Sequence, residues 1–247
     1  MQSFDRCEEF PDGRVWECDP FRASQGVVRP ALGVFTHEAV AVDPVHRQLY
    51  LTEDRVDGRL YRFTPHRYPD LASGRLEVAS VVGERVAWIT VSDGAEGASS
   101  PRPPGSTAFN GGEGIWYDRG AVFFTTKGDN RVWRLDTGTQ ALHVIYDDDL
   151  VADAPLSGVD NVTVGPGGEV FVAEDGGDMQ LVVIRPGKVV GPLLQIVGQT
   201  GTEIAGPAFN PAGNRLYFSS QSALGRASAF AGIGITYEVR GPFRRRR

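Results

Sequence analysis

Cysteine is scarce in this chain of 247 residues, and long apolar runs and a basic surplus are missing. Two cysteines, Cys7 and Cys18, are too few for a disulfide scaffold. No apolar run is long enough for a membrane-spanning helix, so we expect no membrane partner. The net charge is −6. Because nucleic-acid binders normally present a basic face, we expect no nucleic-acid partner either.

Glycine and proline are plentiful, with 31 and 16 copies, and the hydrophobic share is 41%. Glycine and proline between short apolar segments are typical turn residues of a protein built of many short strands. The length suits one all-β domain with a full core. We therefore predict a single domain over residues 1–247 and find no convincing helix in the pattern.

The clearest hairpin lies at residues 35–54. Residues 35–44 alternate as a strand, a turn follows, and residues 49–54 return. The start of the first strand and the end of the second meet at one edge of an antiparallel pair, which brings Glu38 beside Glu53 and Asp54. Each like-charge pair at such a rim costs about 3 kcal/mol, and a hard cation bound by the carboxylate oxygens removes that cost. The alternative is three solvated acids at a strand end.

The hairpin pattern recurs, which favours the metal interpretation. Asp160 and Asn161 open a second copy that returns to Glu174 and Asp175. Glu113 opens a third copy, in which Lys127 stands where an acid stood, and Glu203 opens a fourth.

Repeats of strands and turns on this scale predict a β-propeller, whose blades aim equivalent edges at one mouth. We predict about five to six four-stranded blades. Residues 1–30 then form an incomplete first blade and a connector. Residues 66–74 are predicted as a polar loop, 92–107 as a flexible surface loop, 147–149 as a solvated acidic turn and 244–247 as a basic tail.

Several motifs together resemble the PhoX-type alkaline phosphatase family. They are His37-Glu38-Ala39, Thr52-Glu53-Asp54, Glu113-Gly114, the segment 160–164, Glu174-Asp175-Gly176 and the segment 206–209. The resemblance implies a propeller with iron and calcium ions in its mouth, hydrolysis of phosphate esters, and export to the periplasm or the outside of the cell. It implies iron ligation by Glu38 and Glu113, calcium ligation by Glu174 and Asp175, and a position facing the metals for Glu8 and Glu9.

The chain also departs from the family pattern. The family's segment with a metal-binding cysteine is not seen before Cys7, and Gly111 stands where the family tends to have a phosphate-binding arginine. A missing bidentate arginine removes the best geometric match to a phosphate. We expect Lys127 to replace it in part, as the catalytic cation that meets the substrate.

Two classes of function stay open at this point. The first is a metal-dependent phosphoric ester hydrolase with Ca²⁺, and with Fe³⁺ as the resemblance implies, acting on a small-molecule phosphate ester. The second is a calcium-binding propeller without that activity, or a lactonase-like hydrolase, in which Asp160 and Asn161 suit a single Ca²⁺. An incomplete first blade leaves strand edges unpaired, which predicts a dimer through that edge.

Overall fold

A computed structural model describes residues 3–6, 13–23, 25–91, 102–187, 189–199, 201–222 and 234–243. In these ranges nineteen strands form five sheets, and the only helices are three single 3₁₀ turns. None of the described helices has the length and apolar character needed to cross a membrane.

Each sheet is a meander in which strands follow one another in chain order. The first sheet has β1 (Ser3–Arg6), β2 (Val15–Cys18) and β3 (Val27–Val28). The second has β4 (His37–Asp43), β5 (Gln48–Glu53), β6 (Leu60–Arg67), β7 (Asp70–Val82) and β8 (Arg85–Thr90). The third has β9 (Gly112–Asp118), β10 (Ala121–Thr126), β11 (Arg131–Asp136) and β12 (Leu142–Asp147).

The fourth sheet has β13 (Val159–Val164), β14 (Val170–Glu174), β15 (Gln180–Arg185) and β16 (Val189–Gln195), and the fifth has β17 (Ile204–Phe209), β18 (Arg215–Ser220) and β19 (Ile235–Arg240). Successive antiparallel sheets of three to five strands are the architecture of a β-propeller. The predicted fold class is therefore confirmed. The hairpins predicted from the four acid-led segments are β4–β5, β9–β10, β13–β14 and β17–β18.

The chain divides into two compact units. The first comprises residues 1–122 and 135–143, and the second comprises residues 123–134 and 144–247. The core of the first unit is built from the inward side chains of β5, β6 and β7, among them Leu51, Phe63 and Val78. The core of the second unit includes Phe171, Leu181, Ile204, Leu216 and Phe218. The prediction of one domain stays a prediction.

The prediction of a polar loop at residues 66–74 was wrong. β6 runs to Arg67 and β7 begins at Asp70, so a two-residue turn joins two long strands. Burial drives this pairing, because Leu71 is only 1% exposed and packs into the first core. Gly74 is a packing residue: a Cβ there would lie 2.3 Å from the Phe63 ring.

The C-terminal part of the segment 92–107 is held against the second sheet. The Thr107 amide donates to the Ala79 carbonyl at 2.9 Å, and the Thr107 hydroxyl accepts from the Val81 amide at 2.8 Å. Residues 92–101, the tail 244–247 and the predicted metal-facing pair Glu8 and Glu9 lie outside the described residues.

Candidate metal centre

The leading acids of two hairpins lie on irregular positions of their strands. In the β4–β5 pair, His37 is opposite Glu53 and Val40 is opposite Leu51, so Glu38 and its neighbour together face one residue, Thr52. Two residues opposite one form a β-bulge, which turns a side chain away from the regular alternation and is common beside active sites. Glu38 lies in this bulge, as the second residue of β4, and only 7% of its surface is exposed.

The β13–β14 pair repeats this irregularity. Val159 is opposite Glu174 and Val162 is opposite Val172, so Asp160 and Asn161 share the place of one residue. Asp160 is 5% exposed. Equivalent acids on equivalent bulges are consistent with internal repetition of one structural element.

Buried threonines fix two of the leading acids from the preceding hairpin. The Thr52 hydroxyl of β5 donates to the backbone carbonyl of Glu113 at 2.5 Å and accepts from the Ala39 amide at 3.2 Å. In the second unit, the Thr125 hydroxyl of β10 donates to the backbone carbonyl of Asp160. Because these bonds are made to backbone carbonyls, they fix the position of each acid and leave its carboxylate available for other contacts. The sequence reasoning missed both threonines.

The first unit brings two of the predicted ligands together. Carboxylate oxygens of Glu38 and Glu113 lie within 4.8 Å of each other, and Glu113 is 4% exposed. Two ionised carboxylates at this separation repel by about 3 kcal/mol at an effective dielectric constant of about 20. A cation between them would reverse the sign of this interaction.

The second unit brings three predicted ligands together. Carboxylate oxygens of Asp160, Asp175 and Glu203 all lie within 4.8 Å of one another. The main chain arranges this cluster, since Asp175 and Glu203 face each other in an isolated antiparallel bridge. Lys127, predicted as a catalytic cation, forms an ion pair with the Asp175 carboxylate.

Glu203 reaches this cluster by a different route from the one predicted. We expected it to begin its hairpin as Glu38 and Asp160 do. In the β17–β18 pair, however, Ile204 is opposite Ser220, just as His37 is opposite Glu53. Ala205 therefore occupies the position of the leading acid, and Glu203 lies before the strand, where the bridge to Asp175 holds it.

Asn161, predicted as a metal ligand, has both ends of its amide engaged. Its Nδ2 donates to the Asp160 carboxylate at 2.5 Å, and its Oδ1 accepts from the Gly206 amide at 2.6 Å. Gly206 has a φ of 61°, a left-handed conformation that glycine adopts without strain. These contacts make Asn161 a residue that orients Asp160.

Glu53 and Glu174, both predicted as ligands, accept hydrogen bonds from backbone amides. Glu53 accepts from the Arg59 amide at 3.0 Å, and Glu174 accepts from the Gln180 amide at 2.8 Å. In each case the acid ends the second strand and closes the turn that leads to the third strand. Glu174 also accepts from the Ser157 amide at 2.9 Å. Burial raises the pKa of Glu174 to about 7, against the lowering effect of these two amides.

Glu53 has a charged partner that the sequence analysis did not identify. The Arg102 guanidinium binds its carboxylate at 2.6 Å, and the Tyr61 hydroxyl donates to the same group at 3.1 Å. Burial raises the pKa of Glu53, while Arg102 opposes that rise. Asp54 is half-buried, and its amide donates to the Thr36 carbonyl at 3.0 Å. Within the described ranges, neither Glu53 nor Asp54 joins a cluster of three ligand-bearing side chains.

The acidic turn at Asp147, Asp148 and Asp149 forms a further group of neighbouring carboxylates. Arg131 binds Asp147 at 2.8 Å, and the Asn130 amide nitrogen donates to Asp148 at 2.8 Å. These bonds give the turn a structural role in the second unit.

The chemistry of the donors in both units fits a hard cation. Among the described residues, the potential ligands in these groups all offer carboxylate oxygen, which Ca²⁺ prefers and Fe³⁺ also accepts. Asp160, Asp175 and Glu203 supply three such groups in the second unit, and Glu38 and Glu113 supply two in the first.

Comparison with known proteins gives one family. The sequence model of the family described as alkaline phosphatase PhoX matches residues 2–141. No curated protein matches the chain.

Solved structures are similar in fold. A chain of a nidogen–laminin complex is 14% identical, with 88% of this chain and 69% of that chain covered and a TM-score of 0.57. Glutaminyl cyclase from Myxococcus xanthus is 15% identical, with coverage of 84% and 77% and a TM-score of 0.46. A putative 6-phosphogluconolactonase from Bacteroides uniformis is 11% identical, with coverage of 86% and 72% and a TM-score of 0.44. At 14% identity, the likeness to the nidogen–laminin chain concerns the fold alone.

Proposed function

Because the chain belongs to the PhoX alkaline phosphatase family, we propose that it is a metal-dependent phosphoric ester hydrolase whose cations are bound by the leading acids of its hairpins. The observation that carries this proposal is the cluster of Asp160, Asp175 and Glu203, whose carboxylate oxygens lie within 4.8 Å of one another. A calcium ion accepts such a set of oxygen ligands. Glu38 and Glu113 offer a second pair of carboxylates for Ca²⁺ or Fe³⁺.

Each residue then has a distinct task. Asp160, Asp175 and Glu203 hold a cation, and Asn161 orients Asp160 through its 2.5 Å hydrogen bond. A cation held there would supply Lewis-acid polarisation of the phosphoryl oxygens and activation of water. Lys127, whose ammonium contacts the Asp175 carboxylate, is the positive charge available for a phosphate oxygen.

A calcium-binding propeller without hydrolytic activity is the second candidate, and the backbone at Gly111 favours it. Gly111 has a φ of 65°, a conformation that L side chains rarely adopt. An arginine at this position would be strained by about 1 kcal/mol or more. The chain is therefore shaped for glycine where the family tends to have its phosphate-binding arginine.

The other expectations drawn from the sequence are kept in this proposal. The ligand is a small phosphate ester, nucleic acid and membranes are not partners, and the protein is exported with its family. Dimerisation through an open blade edge stays a prediction.

The test is hydrolysis after controlled metal loading. The protein is stripped with a chelator, reloaded with Ca²⁺, with Fe³⁺ or with both, and assayed on p-nitrophenyl phosphate and on a lactone. We expect phosphate ester hydrolysis only with metal, and a loss of at least about 100-fold in Asp160→Asn, the scale of removing one electrostatic group from a catalytic site. Asp149→Asn, an exposed acid of the outer turn, should keep full activity.

The outcomes separate the candidates. Calcium binding without hydrolysis would favour the non-catalytic propeller, and hydrolysis of the lactone alone would favour a lactonase. Equal activity of the stripped and loaded protein would refute a role for the metal.

A further inference from the structure

Lys127 is held in a fixed place beside the acidic cluster of the second unit. It opens the 3₁₀ turn Lys127–Asp129 that follows β10. The Thr126 hydroxyl donates to Asp129 at 2.5 Å and accepts from the Trp133 indole at 2.9 Å, which stabilises this turn. Asn130 ends the turn and accepts from the Val159 amide at 3.2 Å. The turn that carries Lys127 is thus linked, through the Asn130 side chain, to the strand that carries Asp160.

The Lys127 ammonium contacts one oxygen of the Asp175 carboxylate, with 38% of the lysine side chain and 29% of the aspartate side chain exposed. Asp175 is at the same time within 4.8 Å of ligand oxygens of Asp160 and Glu203. The Asp175 carboxylate therefore belongs both to the ion pair with the Lys127 ammonium and to a group of carboxylates suited to a divalent cation. A divalent ion at Asp175 would repel the ammonium if the ammonium stayed in place.

We propose that Lys127 is an internal counter-ion that a divalent cation displaces from Asp175, and that the displaced ammonium becomes the anion-binding group of the site. This inference rests on the proposed cation site. Metal loading then favours anion binding, because Lys127 is engaged with Asp175 until the cation arrives. Linkage then requires the reverse effect as well: an anion bound by Lys127 strengthens cation binding by the same factor.

The size of the coupling follows from the exposure of the pair. A partly exposed ion pair shifts an equilibrium by a factor of about five. We expect Lys127→Met to bind Ca²⁺ about fivefold more tightly than the unmodified chain, since no ion pair has to be broken. Methylphosphonate, a non-hydrolysable phosphate ester analogue, should tighten Ca²⁺ binding to the unmodified chain and leave Lys127→Met unaffected.

The measurement is isothermal titration calorimetry with Ca²⁺ at constant ionic strength, with and without methylphosphonate. Arg215→Met is the matched control: it also removes one positive charge of the second unit, from a 3.0 Å ion pair with Glu238 in which the arginine side chain is 41% exposed. We expect it to keep both the Ca²⁺ affinity and the methylphosphonate effect of the unmodified chain. Lys127→Arg retains the charge and should show no gain in affinity.

An equal or lower Ca²⁺ affinity of Lys127→Met, in a chain that binds Ca²⁺, overturns the inference and leaves the proposed function standing. A methylphosphonate effect that persists in Lys127→Met also overturns it. A chain that binds no Ca²⁺ in any variant refutes both the inference and the calcium site.

Discussion

Removal of Arg102 tests the contact between Arg102 and Glu53 in the first unit. Glu53 is fully buried, and its carboxylate has three partners: the Arg102 guanidinium at 2.6 Å, the Arg59 amide at 3.0 Å and the Tyr61 hydroxyl at 3.1 Å. In Arg102→Met the two neutral donors remain, but the compensating charge is lost.

The expected cost is large because the carboxylate has no access to water. Breaking a buried ion pair on one side costs about 3–5 kcal/mol, against about 0–1 kcal/mol for a surface pair. We expect about 3 kcal/mol, since the two remaining donors still stabilise the carboxylate. For a chain of this size, that loss lowers the melting temperature by about 6–12 °C.

The loss of stability in Arg102→Met should depend on pH. Burial already raises the pKa of Glu53, and Arg102 opposes that rise. Without Arg102 the pKa in the folded state rises further above its value in the unfolded state. Between the pKa of Glu53 in the unfolded state and its pKa in the folded state, the folded chain binds more protons than the unfolded chain. The free energy of unfolding therefore falls as the pH rises through this interval. The variant should therefore be closer to the unmodified chain at about pH 5 than at about pH 8.

The assay is urea unfolding followed by tryptophan fluorescence at both pH values. Arg22→Met is the control, because Arg22 pairs with Asp19 at 2.7 Å while 81% of its side chain is exposed. The double variant Glu53→Gln with Arg102→Met removes both charges and should be more stable than Arg102→Met alone. A cost below about 1 kcal/mol, or no dependence on pH, would refute the buried-charge argument.

Three further predictions follow from the structure. In thermal melts, calcium should raise the melting temperature more than magnesium does. Glu113→Gln and Asp160→Asn should each reduce the rise caused by calcium, whereas Asp149→Asn should not. Equal melting temperatures with calcium and with chelator would contradict the metal centre. Thr125→Val removes the donor to the Asp160 carbonyl and should cost about 1 kcal/mol in urea unfolding and weaken calcium binding. Thr139→Val removes an exposed hydroxyl that donates to Asp136 at 2.9 Å; it should cost less than about 0.5 kcal/mol and leave calcium binding unchanged. Leu181→Ala, in the core of the second unit, should lower the free energy of unfolding in urea by about 2–5 kcal/mol. The exposed Val189→Ala should lower it by less than about 0.5 kcal/mol. Similar losses in both variants would indicate a loosely packed core.

The hairpins were predictable because their signal is local. Alternating side chains and Gly- or Pro-containing turns indicate strands wherever they occur, and β4–β5 and β13–β14 lie at the predicted places. The prediction of a loop at residues 66–74 was wrong because it used local signal alone. The segment is mostly polar, but Leu71 is buried against residues that lie elsewhere in the chain.

The sequence does not show which group each predicted ligand faces in the folded chain. An acid at a strand end looks the same whether it faces a cation or a backbone amide, and Glu53 and Glu174 face amides six residues further along the chain. Arg102 lies 49 residues from its partner Glu53, so no spacing rule identifies it. For Glu203, the register of β17 against β18 decides its position, and a bulge is invisible to simple alternation. Metal binding by all of the predicted acids stays a prediction.

The threonine hydrogen bonds have a consequence for how such a chain tolerates change in length. Thr52 lies 61 residues before Glu113, whereas Thr125 lies only 35 residues before Asp160. The same main-chain contact therefore forms across connections of very different size. An insertion or a deletion in the intervening outer strands and loops leaves the acid where it was, provided that the threonine and its partner carbonyl still meet. We therefore expect the segments between these threonines and their partner carbonyls to tolerate changes in length without moving the carboxylates.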